Sequence, residues 1–341
     1  MTILPRQPNP FITVILPVRN EAKHIERCLQ AIINQDYPAN CMEVLVIDGL
    51  SSDDTRPIVQ TIIQQANFIR LLDNPKQIVP TAMNIGIKQA QGEIIIRVDG
   101  HTIIAPDYVR ACVEALQESQ ADCVGGPMVA QSETPFGQAV ALATSHPFGV
   151  GGSRFHYATE IIETETVYLG AYRRQIFEQV GYFDEEMVRN QDDEFNYRLR
   201  AAGGKIILYP TIRSTYYNRA TAQSLWRQYF QYGFWKVRVA QKLPHQMRLR
   251  HFIPFGLAMT LIGGGLLAPF TKLIRLGWLA IVGVYTMLNL SASMIIAIQS
   301  DRQHLKRLPL AFAILHLAYG SGFAWGLFHF RDKWKGEKTN Q

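Results

Sequence analysis

Three short apolar runs in this chain each end in residues that can do chemistry. Residues 12–16 lead into Pro17-Val18-Arg19-Asn20-Glu21, and residues 43–47 lead into Asp48-Gly49-Leu50-Ser51-Ser52-Asp53-Asp54-Thr55. Residues 94–98 lead into Asp99-Gly100-His101. Carboxylates and an imidazole gathered at one end of neighbouring strands have little use in a core. They suit a crevice that holds a polyanion through a metal ion, a diphosphate above all.

The elements that would carry those ends are legible around them. The apolar runs are short and continuous, as in strands buried on both faces. Between them, residues 21–34 place Ile25, Cys28, Leu29, Ile32 and Ile33 on one helical stripe, which stops at Asp36-Tyr37-Pro38. Residues 53–66 repeat the pattern with Ile58, Ile62 and Ile63 inward. Residues 69–72 read as a strand, residues 79–90 as a helix opened near Pro80, and Ala105-Pro106-Asp107 opens another helix through Gln117. This alternation predicts an α/β domain with a mostly parallel, Rossmann-like sheet covered by helices on both faces. Residues 122–160 break it with Gly125-Gly126-Pro127, Pro135-Phe136-Gly137 and Pro147-Phe148-Gly149-Val150-Gly151-Gly152, and are expected to form a mobile lid or acceptor loop.

Pro17-Val18-Arg19-Asn20-Glu21, the run from Asp48 to Thr55, Asp99 with His101, and Asn190-Gln191-Asp192-Asp193-Glu194-Phe195-Asn196-Tyr197-Arg198 together resemble the family 2 glycosyltransferases of GT-A fold. The likeness is strongest to the exopolysaccharide branch typified by succinoglycan biosynthesis. It implies transfer of a hexose from a nucleotide-diphosphate sugar, UDP before other carriers, to an acceptor hydroxyl with inversion at the anomeric carbon. On the family pattern Pro17, Arg19, Glu21, Asp48 and Asp53 surround the nucleoside, with Asp48 accepting from a base N–H; capping of the next helix is the competing use of Asp53. Asp99 and His101 stand where the family carries Asp-x-Asp and are expected to hold a divalent metal, Mn2+ in preference to Mg2+ because imidazole replaces one carboxylate. Gly170, in Gly170-Ala171-Tyr172-Arg173-Arg174, resembles the stretch that lines the donor sugar, where a missing side chain admits substrate to the backbone. The family places a Glu-Asp pair before an arginine; counting back from Arg198, Gln191 takes the Glu position and Asp192 becomes the general base. Asp193 and Glu194 are the alternatives, and an acidic first helical turn is the competing reading of all three. Gln228 and Tyr232 lie where processive synthases carry Gln-x-x-Arg-Trp and are acceptor-side candidates; Gln231 and Tyr232 replace the Arg and Trp, which favours single addition.

Charge divides the chain. Only 18% of residues are charged, against ~25% in a typical soluble protein, and the deficit lies after His251. Three uncharged runs, residues 252–270, 276–298 and 308–330, contain 19, 23 and 23 residues, and a bilayer needs ~20. Three in succession leave no polar face to wet, so they predict a membrane region. The net charge of +6 argues less for nucleic acid than for a juxtamembrane segment: Lys236, Arg238, Lys242, Arg248 and Arg250 form a stretch without acids that is expected to meet anionic headgroups. Cys28, Cys41, Cys112 and Cys123 form no Cys-x-x-Cys pair and read as thiols of a reducing compartment. Met1 to Pro10 is proline-rich and lacks the apolar core of a signal peptide.

The expected organisation is a cytoplasmic catalytic domain over residues 1–240, a basic juxtamembrane segment 241–251, a membrane region 252–330 of two to three helices, and a basic tail 331–341, in a multi-pass protein of the cell (inner) membrane. Its expected partners are a nucleotide-sugar donor and a polyprenyl-diphosphate-linked glycan in exopolysaccharide or cell-surface glycan synthesis, with no nucleic acid. Three full spans would carry Arg331, Lys333, Lys335 and Lys338 to the far side, against the positive-inside tendency; one re-entrant or interfacial run is the alternative. A processive synthase is the nearest rival in function. Nucleotidyl transfer on the same kind of sheet would want a glycine-rich basic loop after the first strand, and Val18-Arg19-Asn20-Glu21 has no glycine.

Overall fold

The computed structural model describes residues 9–218 and 220–334; Lys335 and Lys338 of the predicted tail, and residues 1–8, lie outside them. In chain order the first elements are β1 (Ile12–Val18), α1 (Ile25–Ile33), β2 (Met42–Asp48), α2 (Thr55–Ile63), β3 (Ile69–Asp73), α3 (Val79–Gln89), β4 (Ile94–Arg97), β5 (Thr102–Ile104), α4 (Tyr108–Ser119), β6 (Cys123–Gly126) and β7 (Met128–Gln131). Then come α5 (Pro135–Thr144), α6 (Pro147–Val150), β8 (Ile162–Glu163), β9 (Tyr168–Arg173), α7 (Ile176–Gln179), α8 (Gln191–Ala201), β10 (Ile206–Leu208) and β11 (Ser214–Tyr217). Four longer helices follow: α9 (Ala222–Lys242), α10 (Ile253–Leu267), α11 (Lys272–Gln299) and α12 (Leu308–His329). The chain groups into two units, Met1–Val129 with Tyr157–Tyr217, and Ala130–His156 with Asn218–Gln341.

The first unit is built on a sheet of order β3-β2-β1-β4-β9-β6-β10-β8. The half from β3 to β4 is parallel throughout, as the alternation predicts. The other half is mixed, because β9 runs antiparallel to both β4 and β6, and β8 antiparallel to β10. Both faces of the parallel half are covered. Ile12, Val14, Leu16, Val44, Val46 and Ile96 turn to one side, against α1, α2 and α4; Ile15 turns to the other and meets α3, where a Cβ on Gly86 would lie 2.6 Å from Ile15 Cγ2. Burial on both sides is why these strands read as unbroken apolar runs, each large side chain contributing ~1.5–3 kcal/mol. Helix α1 starts with its stripe at Ile25, later than the predicted segment 21–34: the Glu21 carbonyl accepts from both His24 and Ile25 N–H, so residues 21–24 form a turn.

The segment 122–160, expected from its glycines and prolines to form a mobile lid or acceptor loop, holds regular elements. It contains β6, β7, α5, α6 and a 3₁₀ turn at Arg154–His156. Pro135 and Pro147 stand in the first helical turns of α5 and α6, where a missing N–H costs nothing, and Thr134 Oγ1 caps α5 by accepting from Gly137 N–H at 3.1 Å.

In the second unit α10, α11 and α12 fall on the three apolar runs; α11, α12, and α10 taken with the 3₁₀ turn before it (Leu249–Leu267) are long and apolar enough to cross a membrane. The 28 residues of α11 span about 42 Å at the α-helical rise. Helices α9 and α12 lie backbone against backbone: a Cβ on Gly322 would be 1.9 Å from the Phe230 carbonyl oxygen, and one on Gly233 2.0 Å from that of Tyr319. Small residues allow such approach between membrane helices. Phe312, Leu315 and Ala318 of α12 are buried with Ala139, Val140 and Ala143 of α5. His316 places Nε2 2.8 Å from the Phe148 carbonyl and Nδ1 3.0 Å from the Tyr285 hydroxyl, which ties α6, α11 and α12 together. By contrast, Leu266, Phe270 and Leu273 stay exposed, as on a lipid-facing surface.

Candidate active site

β1 and β2 deliver their ends side by side, with Val18 opposite Asp48. The two loops that follow are laced together. Asn20 N–H donates to Ser51 Oγ at 2.9 Å, and Asn20 Oδ1 accepts from Ser52 N–H at 2.8 Å. Glu21 N–H donates to Thr55 Oγ1 at 2.8 Å, and Ala22 N–H to Asp53 Oδ2 at 3.1 Å. Asn20 and Leu50 both take left-handed backbone, φ 55° and 54°; asparagine tolerates it, whereas Leu50 carries strain of order 1 kcal/mol. Asp53 Oδ1 accepts from Thr55 Oγ1 at 2.6 Å and Thr55 N–H at 3.1 Å. That hydroxyl first, then the backbone donors, hold its carboxyl below the usual range. Asp53, one residue before the N-cap Asp54, therefore binds the first residue of α2 and clasps the β1 loop.

Asp48 is fully buried, and its oxygens accept from Ser51 N–H, from Ser51 Oγ at 2.5 Å and from Arg56 Nη1 at 2.7 Å. A base N–H reaches Asp48 only where one of these gives way. Arg56 also binds Asp73 at 2.7 Å. Sequence order gives this cation a single signal, a basic residue in the helical turn that folds back over the end of β2. Pro17 is half-buried at the end of β1, and exposed Arg19 lays its side chain over Gly49, where a Cβ would come within 3.3 Å.

At the end of β4 the pieces converge. Arg97 Nε donates to Asp99 Oδ1 at 2.8 Å, and its Nη1 lies 3.9 Å from Asp192 Oδ2. Asp192 stands in the first turn of α8, behind Asn190 in left-handed conformation, and keeps 42% of its side chain exposed. Burial would raise the Asp99 carboxyl, but Arg97, His101 and Arg189 outweigh it and hold it below the ordinary range. For Asp192 the balance reverses: the surrounding protein and then Asp193 push it up, against the pull of Arg97. His101 Nδ1 lies 3.0 Å from Glu21 Oε1, so the first and third strand ends meet there. Glu194 is committed to Arg198, with contacts of 2.8 and 2.9 Å. Arg198 in turn donates to the carbonyls of Val180 and Tyr182, which fixes the loop leading to α8.

Two candidates sit otherwise than expected. A Cβ on Gly170 would fall 2.5 Å from the Tyr172 ring, so the room this glycine leaves is filled by the protein itself. Gln228 and Tyr232 belong to α9 in the second unit, one helical turn apart, with Gln228 Nε2 donating to the Tyr232 hydroxyl at 2.9 Å. Among the described residues no group of three or more His, Cys, Asp or Glu side chains is placed to hold a metal ion alone.

The model of Glycosyl transferase family 2 matches residues 13–181. Over 325 residues the chain is 30% identical to dolichyl N-acetyl-alpha-D-glucosaminyl phosphate 3-beta-D-2,3-diacetamido-2,3-dideoxy-beta-D-glucuronosyltransferase of Methanococcus voltae, covering 93% of this chain and 97% of that protein. The chain belongs to glycosyl transferase family 2. Succinoglycan biosynthesis protein ExoA of Rhizobium meliloti (strain 1021) is also 30% identical, over 94% of this chain and 96% of its own length. In fold, the chain is similar to the solved mannosyltransferase PcManGT from Pyrobaculum calidifontis, with TM-score 0.62 at 20% identity over 93% of this chain and 88% of that one. The sheet is thus that of a GT-A glycosyltransferase acting on nucleotide sugars, followed by membrane helices.

Proposed function

We infer that this glycosyltransferase moves a hexose from a UDP-sugar to a lipid-linked saccharide at the cytoplasmic face of the cell membrane, inverting the anomeric centre. The observation that carries the reading is the meeting of Asp99 and Asp192 at one guanidinium. In the proposed reaction the acceptor oxygen bonds to the anomeric carbon as the sugar's bond to the diphosphate breaks, and Asp192 takes the acceptor proton. A carboxylate held above its ordinary range is a better base for that step. Pro17, Arg19, Glu21 and Asp53 border the nucleoside, with Asp48 and Arg56 behind them, and Gly170 lies in the donor-sugar wall behind Tyr172.

Asp99 and His101 fit a divalent ion, Mn2+ before Mg2+, as a carboxylate and an imidazole one residue apart. Two protein ligands alone would not retain an ion, so these residues would hold it together with donor oxygens. Bound there, a divalent ion would supply positive charge to offset that of a leaving diphosphate. PcManGT was solved with GDP-Man and Mn2+, which supports the metal and makes GDP the carrier to test beside UDP.

For the acceptor, the name of the Methanococcus voltae relative gives dolichyl N-acetyl-alpha-D-glucosaminyl phosphate, and that of ExoA gives succinoglycan biosynthesis. The first supports a polyprenyl-linked glycan and the second an exopolysaccharide product; the acceptor is proposed here as the diphosphate, with Gln228 and Tyr232 on its side and Arg248 and Arg250 near its headgroup. Single addition is favoured over processive synthesis because Gln231 and Tyr232 replace an Arg-Trp pair.

The test incubates membranes holding the full chain with labelled UDP- and GDP-sugars, Mn2+ or Mg2+, and polyprenyl mono- or diphosphate glycans, then extracts product lipid. Asp192→Asn should lower the rate by ~10²–10⁴ with donor binding retained. Normal turnover of that variant, or full activity in a chelator, would refute the assignment.

A further inference from the structure

We propose that Arg97 is a positioning residue of the transfer reaction: from the end of β4 its guanidinium holds Asp99 and Asp192 in a single arrangement. The inference rests on reading Asp192 as the base, and goes beyond it by naming the group that fixes where the base stands.

The observations are geometric. β4 is otherwise Ile94-Ile95-Ile96, all buried, and only 12% of the Arg97 side chain is exposed. A cation placed there is costly unless paired. Its Nε is taken by Asp99 at 2.8 Å, while Nη1 faces Asp192 at 3.9 Å. The planar fork of arginine can address two carboxylates at once; an ammonium is a point charge and cannot. Asp192 needs such a tether, because the Asn190 side chain makes no capping bond to α8. Besides Arg97, Asp192 accepts from the Asp193 N–H at 3.0 Å. Without Arg97 the Asp99 and Asp192 carboxylates would repel each other with no charge between them, and Asp192 would lose its contact with β4, while Tyr172 of β9 still holds the body of α8 through Asn196 at 3.1 Å. Arg97 touches neither donor nor acceptor in this account; it acts through the two acids. The competing view makes it an ordinary structural ion pair.

Full-length protein separates the two. Arg97→Met, Arg97→Lys and Arg97→Gly are compared with Asp192→Asn for kcat at saturating donor and acceptor, and for affinity towards UDP and the donor. Positioning predicts that Arg97→Met lowers kcat by about 10²-fold, the scale of a misplaced catalytic group, while affinity for UDP measured without metal, which does not draw on Asp99, stays at the wild-type value. Arg97→Lys should fall between. Free guanidinium should restore part of the Arg97→Gly rate, and urea, a neutral molecule of the same shape, should not. Wild-type kcat in Arg97→Met with Asp192→Asn inactive overturns the inference and leaves the base assignment standing. Wild-type kcat in both overturns the reading beneath it. Loss of metal-free UDP affinity in step with kcat, or equal rescue by urea and guanidinium, makes Arg97 structural and also overturns the inference.

Discussion

Gly322→Ala is the substitution whose outcome follows most directly from the coordinates. The added Cβ would sit 1.9 Å from the Phe230 carbonyl oxygen, 2.7 Å from its carbon and 2.9 Å from Phe230 Cα. All three are backbone atoms of α9, so no rotamer change relieves the contact. Cβ atoms essentially never approach heavy atoms closer than 3.0 Å, so the helices must part by at least 3.0 − 1.9 = 1.1 Å. Gly326, whose Cβ would meet the Phe234 carbonyl at 2.6 Å, and Gly233 repeat the constraint along the same seam. Overpacking of this kind costs about 1–3 kcal/mol. Alanine also gains about 0.8–1 kcal/mol of helix propensity over glycine, and Gly277→Ala isolates that gain, because nothing lies within 4 Å of its Cβ. Thermal unfolding of both variants in the same detergent should therefore place Gly322→Ala below wild type and Gly277→Ala at or above it. Since α9 carries Gln228 and Tyr232, a shift of this size should also lower kcat/KM for the lipid-linked acceptor, by up to about 10²-fold, with donor affinity unchanged. If Gly322→Ala melts together with Gly277→Ala, the backbone-to-backbone packing of α9 and α12 is wrong.

Three further outcomes are expected. The Asp192 carboxyl is raised, by burial first and Asp193 second, so kcat should fall on acidification at a pH above the ordinary carboxylate value of ~3.9, as the base becomes protonated; a profile that stays flat down to that value would count against Asp192. His101→Asp should keep activity and move metal preference from Mn2+ towards Mg2+, because a hard oxygen ligand replaces imidazole; rates in the two metals at matched free concentration decide it. The Glu185 carboxyl is held low by hydrogen bonds from Lys76 at 2.6 Å and Asn84 at 3.1 Å. Its contribution to stability is thus present above the unfolded glutamate value of ~4.3 and lost as pH falls through the lower folded one, so Lys76→Met should lower the melting temperature slightly at higher pH, leave it almost unchanged at low pH, and so flatten its acid dependence.

The parts of this molecule that could be read from the chain are those whose cause is local. β1 and β2 are legible because strands buried on both faces must be apolar without interruption, and their tips are legible because polar residues straight after such a run have nowhere to go but a crevice. Residues 122–160 were misread for an equally local reason. Proline in a first helical turn and glycine after a cap look the same, in isolation, as proline and glycine that break a chain, and only the apolar stripe of Ala139, Val140 and Ala143 separates the two. β9 escaped notice because its antiparallel place between β4 and β6 is decided by partners distant in the sequence.

The site divides along the same line. Asp99, His101 and Glu21 announce themselves by position, whereas Arg56 does not, and the position of Arg97 one pleat before Asp99 leaves phosphate and an acidic neighbour equally open, since a cation near an acid is common and its meaning depends on which acid it reaches. Asp48 and Gly170 show the converse: residue type and register suggest a substrate contact, but Arg56 and Tyr172 already occupy the space. Charge pairing across elements is therefore the information that the order of residues withholds. It also decides how this crevice behaves, because one guanidinium joins the carboxylate at the end of β4 to the one at the head of α8, and neither acid's proton affinity can be stated without it.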